Sequence, residues 1–186
     1  MKNYLIFITI LLLNSTSLSA QKYFTKTGKI NFDATAKNSP LIIEAVNRTV
    51  VCVIDTKTGN MQFSVLMKGF ELERALMQEH FNENYVESDK FPKSDFKGMI
   101  TDNEKVNYTK DGSYAVTVKG KLTIHGATKE VETVGKLVIQ NKKINATADF
   151  VVTVTDFNIK IPGLVAYKIS KNVTIKVSCF LEPFLN

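Results

Sequence analysis

From about residue 28 onward, apolar side chains recur at every second position, and that period admits few architectures. Ile30 and Phe32 alternate with Lys29, Asn31 and Asp33, and Met61, Phe63 and Val65 with Asn60, Gln62 and Ser64. The same rhythm carries Tyr114, Val116, Val118, Gly120, Leu122 and Ile124, then Ile144, Ala146, Ala148, Phe150, Val152 and Val154. It ends with Val173, Ile175, Val177 and Cys179. Such segments are half-buried antiparallel strands with one wet face. Turn chemistry separates them: Thr56-Lys57-Thr58-Gly59-Asn60, Lys110-Asp111-Gly112-Ser113, His125-Gly126 and Gln140-Asn141-Lys142-Lys143. The Asp-Gly pair is expected to supply positive-φ positions for a hairpin ahead of Tyr114. Short connections join strands adjacent in sequence, so the predicted topology is a meander. About eight strands, each with one apolar face, favour closure into an all-β antiparallel barrel that leaves no exposed edge.

One segment breaks the rhythm. Leu72, Leu76, Met77, His80 and Phe81 recur at helical spacing, with Glu71 and Glu73 at the start, which predicts a short amphipathic helix near residues 71–84 lying across a barrel end. Residues 160–171, with Pro162 and Gly163, read as an irregular connection. Its apolar run Ile161-Pro162-Gly163-Leu164-Val165 is either a barrel-end plug or a surface feature.

The amino terminus has a different grammar. Lys2 precedes an apolar run from Leu5 to Leu13, too short to span about 30 Å of hydrocarbon, and Ser17-Leu18-Ser19-Ala20 offers small residues for cleavage. A signal peptide over residues 1–20 is expected, leaving one domain over 21–186. No cysteine stands near that junction, so a periplasmic or secreted protein is expected rather than a lipoprotein. The chain is basic, with a formal net charge of +6, but Arg48 and Arg74 are its only arginines and its lysines alternate with apolar residues. That is the pattern of solvated strand faces, so no nucleic-acid partner is expected. Cys52 and Cys179 both fall on apolar faces, and their spacing leaves open a pair of buried thiols or a bridge.

Composition excludes the other broad classes. With 44% apolar and 23% charged residues, 9 Gly and 2 Cys in 186 residues, the chain is neither collagen-like, disulfide-framed nor largely disordered. Catalytic signatures are missing from the sequence. The two histidines, His80 and His125, have no metal-ligand spacing, and no GxSxG, Walker or GxGxxG motif occurs. His80 reads as a helix-face residue and His125 as an exposed turn residue. No catalytic residue, metal or cofactor is expected. What an eight-stranded barrel encloses is either side chains or one apolar ligand. The small residues Gly120, Ala146 and Ala148 on the inward face are compatible with both.

Three segments resemble a known family. Gly120-Lys121-Leu122-Thr123-Ile124-His125-Gly126-Ala127-Thr128-Lys129-Glu130-Val131 is similar to the Gly-x-Leu-Thr-hydrophobic-x-Gly-Val-Thr-Lys-x-Val hairpin of the YceI family of exported proteins. Asp156-Phe157-Asn158-Ile159-Lys160 resembles its late Asp-Phe-x-Ile element. His80-Phe81 through Tyr85, followed by Lys90-Phe91-Pro92 and Phe96, resembles its helix and the Tyr/Phe-Pro-x-x-x-Phe strand after it. Order and spacing agree from about Phe63 to Cys179. Residues 38–47 depart from the pattern, lacking the Gly- and Phe-rich second region usual there. The resemblance implies a lipocalin-like barrel, periplasmic or outside the cell, without catalytic residues, that holds a long isoprenoid or other amphiphile. On that reading Ile30, Phe32, Phe63, Val65, Val116, Val118, Leu122, Phe150 and Val152 face the ligand, an isoprenoid or fatty-acyl lipid. No transmembrane segment remains after cleavage. The alternative is a side-chain-filled barrel serving as a structural or partner-binding module, with a protein of the cell envelope as its partner.

Overall fold

The computed structural model describes residues 21–184. The export segment expected over residues 1–20 lies outside the described residues. Eight long strands close into an antiparallel barrel: β1 (Lys22–Thr35), β2 (Glu44–Asp55), β3 (Asn60–Leu66), β5 (Lys93–Ile100), β6 (Gly112–Ile124), β7 (Ala127–Gln140), β8 (Lys143–Thr153) and β9 (Ile169–Pro183). Each pairs with its sequence neighbour in the barrel, and β9 returns to β1 through pairs such as Ile30↔Val177 and Phe32↔Ile175. The predicted meander is therefore closed, with a ninth strand, β4 (Phe70–Leu72), paired outside the barrel to the start of β2.

The alternation runs inward and outward as expected except in the first two strands, where it changes phase. On β1, Tyr23 and Thr25 point in, and then Gly28, Ile30, Phe32 and Ala34 do. On β2, Ala45 and Asn47 point in, and then Val50, Cys52 and Ile54. Each change coincides with a shift in the β1–β2 register, between Thr25 and Gly28 and between Gly28 and Ile30. An extra residue on one strand is a bulge, and because the side-chain period is two, it moves every later residue to the other face. Asn47 is fully buried at the second bulge. Its Nδ2 donates to the Leu66 carbonyl at 2.8 Å, and its Oδ1 accepts from the backbone N–H of Thr49 at 2.9 Å.

Three local expectations are corrected. The helix, α1 (Ala75–His80), is shorter than residues 71–84: Glu71 lies in β4, because Phe70–Leu72 extends the sheet through Ala45↔Leu72, Val46↔Glu71 and Asn47↔Phe70. The helical path then widens into a π-type turn, Phe81–Tyr85. Asp111-Gly112 is not a tight hairpin, since neither residue has positive φ. Residues 101–111 instead form a cap over one barrel end, and Asp111 accepts a hydrogen bond from the Asn141 N–H at 3.0 Å. Val154 leaves the strand for a 3-10 turn, Val154–Phe157. The His125-Gly126 and Asn141-Lys142 turns do have positive φ at both central residues, as two-residue antiparallel hairpins require.

Side chains fill one half of the barrel. Ile54, Ile100, Leu137, Ile139, Ile144 and Leu181 meet there beneath Val106 and Tyr108 of the 101–111 cap. Tyr108 donates to Asn103 Oδ1 at 2.7 Å, and Asn103 Nδ2 donates to the Thr56 carbonyl at 2.9 Å, so the cap is tied to the β2–β3 turn. The opposite end carries residues 36–43, β4, α1 and residues 158–168.

Candidate functional site

Between the filled half and the far end lies an interior cavity of about 580 Å³, within the range of small-molecule sites. Every residue expected from the sequence to face a ligand borders it: Ile30 and Phe32 from β1, Phe63 and Val65 from β3, Val116, Val118 and Leu122 from β6, and Phe150 and Val152 from β8. Eight strands bring these together because each presents the same parity of residues inward. Of the small inward residues, Ala146 and Ala148 border the cavity. Gly120 does not add space. It pairs with Gly98 on β5, and a Cβ on either would lie within 2.7 Å of the Phe96 ring, which covers both.

Sequence reasoning reached Phe32 and Phe63 of the aromatic wall but not Phe70, Phe81 or Phe96. Phe32, Phe70 and Phe81 form a triangle with ring centroids 5.4 to 5.8 Å apart, and Phe63 meets Phe96 edge-on at 6.1 Å. Phe70 comes from β4 and Phe81 from the turn after α1, so these elements supply aromatic surface that residues 38–47 lack. Tyr85, also on the cavity, has its phenol pushed above the ordinary range by burial. The loop run resolves into both of its readings. Ile161 and Val165 border the cavity, whereas Leu164 points to solvent.

The cavity reaches the surface at this end, between exposed Arg74, Leu76 and His80 of the α1 region and Lys168 of the opposite loop. It also borders a parting in the wall. β7 pairs with β8 only between Gly135↔Ala148 and Gln140↔Lys143, and beyond Gly135 the two strands separate beside Val131 and Thr133.

His125 is not exposed as the sequence suggested. Its side chain is only 10% exposed, folded under the tip of the β6–β7 hairpin. Nδ1 lies 3.2 Å from the Phe157 carbonyl and Nε2 2.5 Å from Glu87 Oε2, and the ring meets Phe91 edge-on at 4.4 Å. Each ring nitrogen thus has its own oxygen partner, a carbonyl on one side and a carboxylate on the other. Gly126 must be bare, because a Cβ there would lie 2.6 Å from the Phe91 ring. The clasp joins the three segments that carry the family resemblance. Glu87 drew no notice in the sequence, since nothing local marks a partner 38 residues from His125.

The lining of the cavity is predominantly apolar, which suits an apolar occupant. Among the described residues, no group of three His, Cys, Asp or Glu side chains gathers as a metal site would. Cys52 and Cys179 are free and buried, and burial, reinforced by the neighbouring Cys179 thiol, pushes the Cys52 thiol well up. The hydrogen bond from Cys52 moves the Cys179 thiol down, but both sulfurs are sealed from solvent. No described helix is long and apolar enough to cross a membrane.

Comparison with known proteins agrees with this architecture. The YceI-like domain profile matches residues 14–180, taking in the amino-terminal third that lies outside the motif resemblance. A polyisoprenoid binding domain from Saccharophagus degradans, implicated in plant cell wall breakdown, superposes with a TM-score of 0.76 at 14% identity, over 89% of this chain and 99% of that one. Burkholderia cenocepacia BcnA superposes with a TM-score of 0.64 at 15% identity, over 83% of this chain and 95% of its own. At these identities the likeness is one of fold. No curated protein sequence matches the chain.

Proposed function

We propose that this chain, which belongs to the YceI-like domain family, is an exported, non-enzymatic protein that binds a long-chain apolar ligand, an isoprenoid or other lipid, inside its barrel. The observation that carries this reading is the apolar cavity of about 580 Å³ between the filled half and the rim. Each buried methylene contributes roughly 0.8 kcal/mol, so about a dozen outweigh any single polar contact. The proposed contacts are Ile30, Phe32, Phe63, Val65, Val116, Val118, Leu122, Phe150 and Val152. The binding of a polyisoprenoid by the Saccharophagus degradans domain supports a ligand of the same class here. Filling by side chains is confined to the closed half, which favours carriage over a solid barrel working only through its surface. Export rests on the charged and apolar pattern of residues 1–20.

Native mass spectrometry of the protein purified from its producing cell, followed by solvent extraction, tests the reading. A discrete added mass that leaves as an apolar chain is expected. Ala148→Phe, which projects a ring into the cavity, is expected to lower the bound fraction while the barrel stays folded by circular dichroism. A bare mass, with no uptake of added polyprenyl or fatty-acyl probes, overturns the proposal.

A further inference from the structure

Four of the large apolar side chains that the fold leaves in solvent, Ile42, Leu76, Leu164 and Tyr167, stand around the mouth of the cavity. Leu164 is 91% exposed, Tyr167 66% and Ile42 61%. They sit on two neighbouring loops, 158–168 and 36–43, joined by a hydrogen bond from the Ala36 N–H to the Lys168 carbonyl at 3.2 Å and by the Thr35↔Ile169 pair. Gly163, beside Leu164, has no other part of the protein within 4 Å of where a side chain would start, so the tip stands clear of the barrel. Charge on these loops has one sign. Residues 158–168 carry Lys160 and Lys168 and no acid, residues 36–43 carry Lys37 and no acid, and Asp156 and Glu44 are the flanking acids. The Lys168 ammonium lies over the Tyr167 ring, 5.1 Å from its centroid. Across the mouth the balance reverses, with Glu73, Glu79 and Glu83 around Arg74 in the α1 region. The side of the barrel also exposes Val134, Val151 and Phe180, but among the mixed charges of Glu132, Lys136 and Asp149 and beside the Lys143–Glu182 pair.

Apolar and tyrosine side chains ringed by lysines, without acids, suit the boundary between headgroups and acyl chains of an anionic bilayer. We propose that loops 36–43 and 158–168 dock the barrel on an anionic phospholipid surface, with the acidic α1 side tilted away from it. The proposal rests on the carriage reading for its purpose, since docking there brings the cavity mouth to the compartment that holds the ligand. Charge complementarity selects the occupant: a neutral apolar partner surface has no use for the three lysines, Lys37, Lys160 and Lys168, that these loops set beside their apolar tips.

Co-sedimentation with vesicles tests it, using phosphatidylcholine alone and phosphatidylcholine mixed with phosphatidylglycerol. The wild-type protein is expected to partition onto the mixed vesicles and to be released by salt. Leu164→Asp with Tyr167→Asp is expected to lower the partition about tenfold or more, since two apolar anchors become charges that an anionic surface repels. Lys160→Glu with Lys168→Glu is expected to abolish the phosphatidylglycerol dependence, and Leu76→Asp on the α1 side to change little. Wild type and variants carry the same amino-terminal segment, so their difference isolates the loops. All five positions are in loops or on the helix surface, and an unchanged circular dichroism spectrum certifies each variant as folded. Equal partition of wild type and the Leu164/Tyr167 variant overturns the proposal. So does a wild type that ignores protein-free vesicles but binds isolated cell membranes through these loops, because its partner is then a protein. Native mass spectrometry of the same samples separates the two readings. Bound amphiphile without vesicle partition overturns docking alone, whereas loop-dependent partition without amphiphile supports docking and overturns carriage.

Discussion

At the closed end of the barrel, Ile54, Ile100, Leu137, Ile139, Ile144 and Leu181 are each at most 2% exposed, and residues 101–111 are pinned over them by hydrogen bonds. At the open end the same strands carry Ile30, Phe32, Val65 and Val152 around a cavity, beneath loops whose apolar tips stand in water. Both halves have the same inward alternation. They differ in what closes them: an inserted Val106 and Tyr108 at one end, and at the other a short helix and two loops that leave a mouth. Inward apolar parity therefore makes a barrel wall, and the end connections decide whether the space behind that wall is core or cavity.

That contrast predicts a gradient of mutational cost. Leu181→Ala removes a fully packed side chain at the closed end and is expected to cost about 2–5 kcal/mol in chemical denaturation. Leu164→Ala at the open end is expected to stay within about 0.5 kcal/mol of wild type. Equal costs at the two ends would break the comparison. The His125 clasp lies between the extremes. His125→Ala is expected to cost roughly 1–3 kcal/mol, because it removes the polar contacts to Glu87 and the Phe157 carbonyl and the packing on Phe91. Combined with Glu87→Gln it should prove non-additive by about 0.5 kcal/mol or more, and full additivity would show that the contact is not energetically coupled.

A smaller effect sharpens the account of the cap. Burial, reinforced by the Asp102 charge, raises the Tyr108 phenol from the ordinary 10.0 to about 12. An unfolded chain releases that proton as pH passes 10 while the folded chain retains it, so stability should decline between about pH 10 and 12. Tyr108→Phe should lack that part of the decline, and identical alkaline profiles for the two proteins would place Tyr108 outside the packed cap. Smallest of all is the exposed Lys143–Glu182 pair, 2.6 Å apart across β8 and β9. Lys143→Ala is expected to shift stability by about 0.5 kcal/mol or less.

Legibility along the chain followed locality. Strands β3, β6, β8 and β9 were readable because period two persisted over their length. So were the turns at His125-Gly126 and Asn141-Lys142, where short strand-to-strand spacing left little choice. The starts of β1 and β2 were hidden because bulges change the inward parity, and because Thr25 and Asn47 occupy inward positions that a search for apolar residues passes over. Glu71 read as helical since Leu72 and Leu76 have helical spacing, yet pairing of Phe70–Leu72 with β2 satisfied that backbone first. Asp111-Gly112 looked like a hairpin because such a pair often is one, and the long cap it belongs to is defined by contacts with Thr56 and Asn141 that no local pattern announces.

By itself, the sequence determined which side chains face inward along most strands, the order of those strands and the apolar character of whatever they enclose. Those properties follow from backbone period and turn chemistry, which act between neighbours in the chain. Only the tertiary structure decided that one half of the enclosed volume is filled and the other is a cavity. It also decided that His125 clasps Glu87 and Phe157, and that loops 36–43 and 158–168 stand together at the mouth. Each of those outcomes depends on which residues from distant segments compete for the same space, and volume is conserved across the whole molecule rather than along any stretch of it.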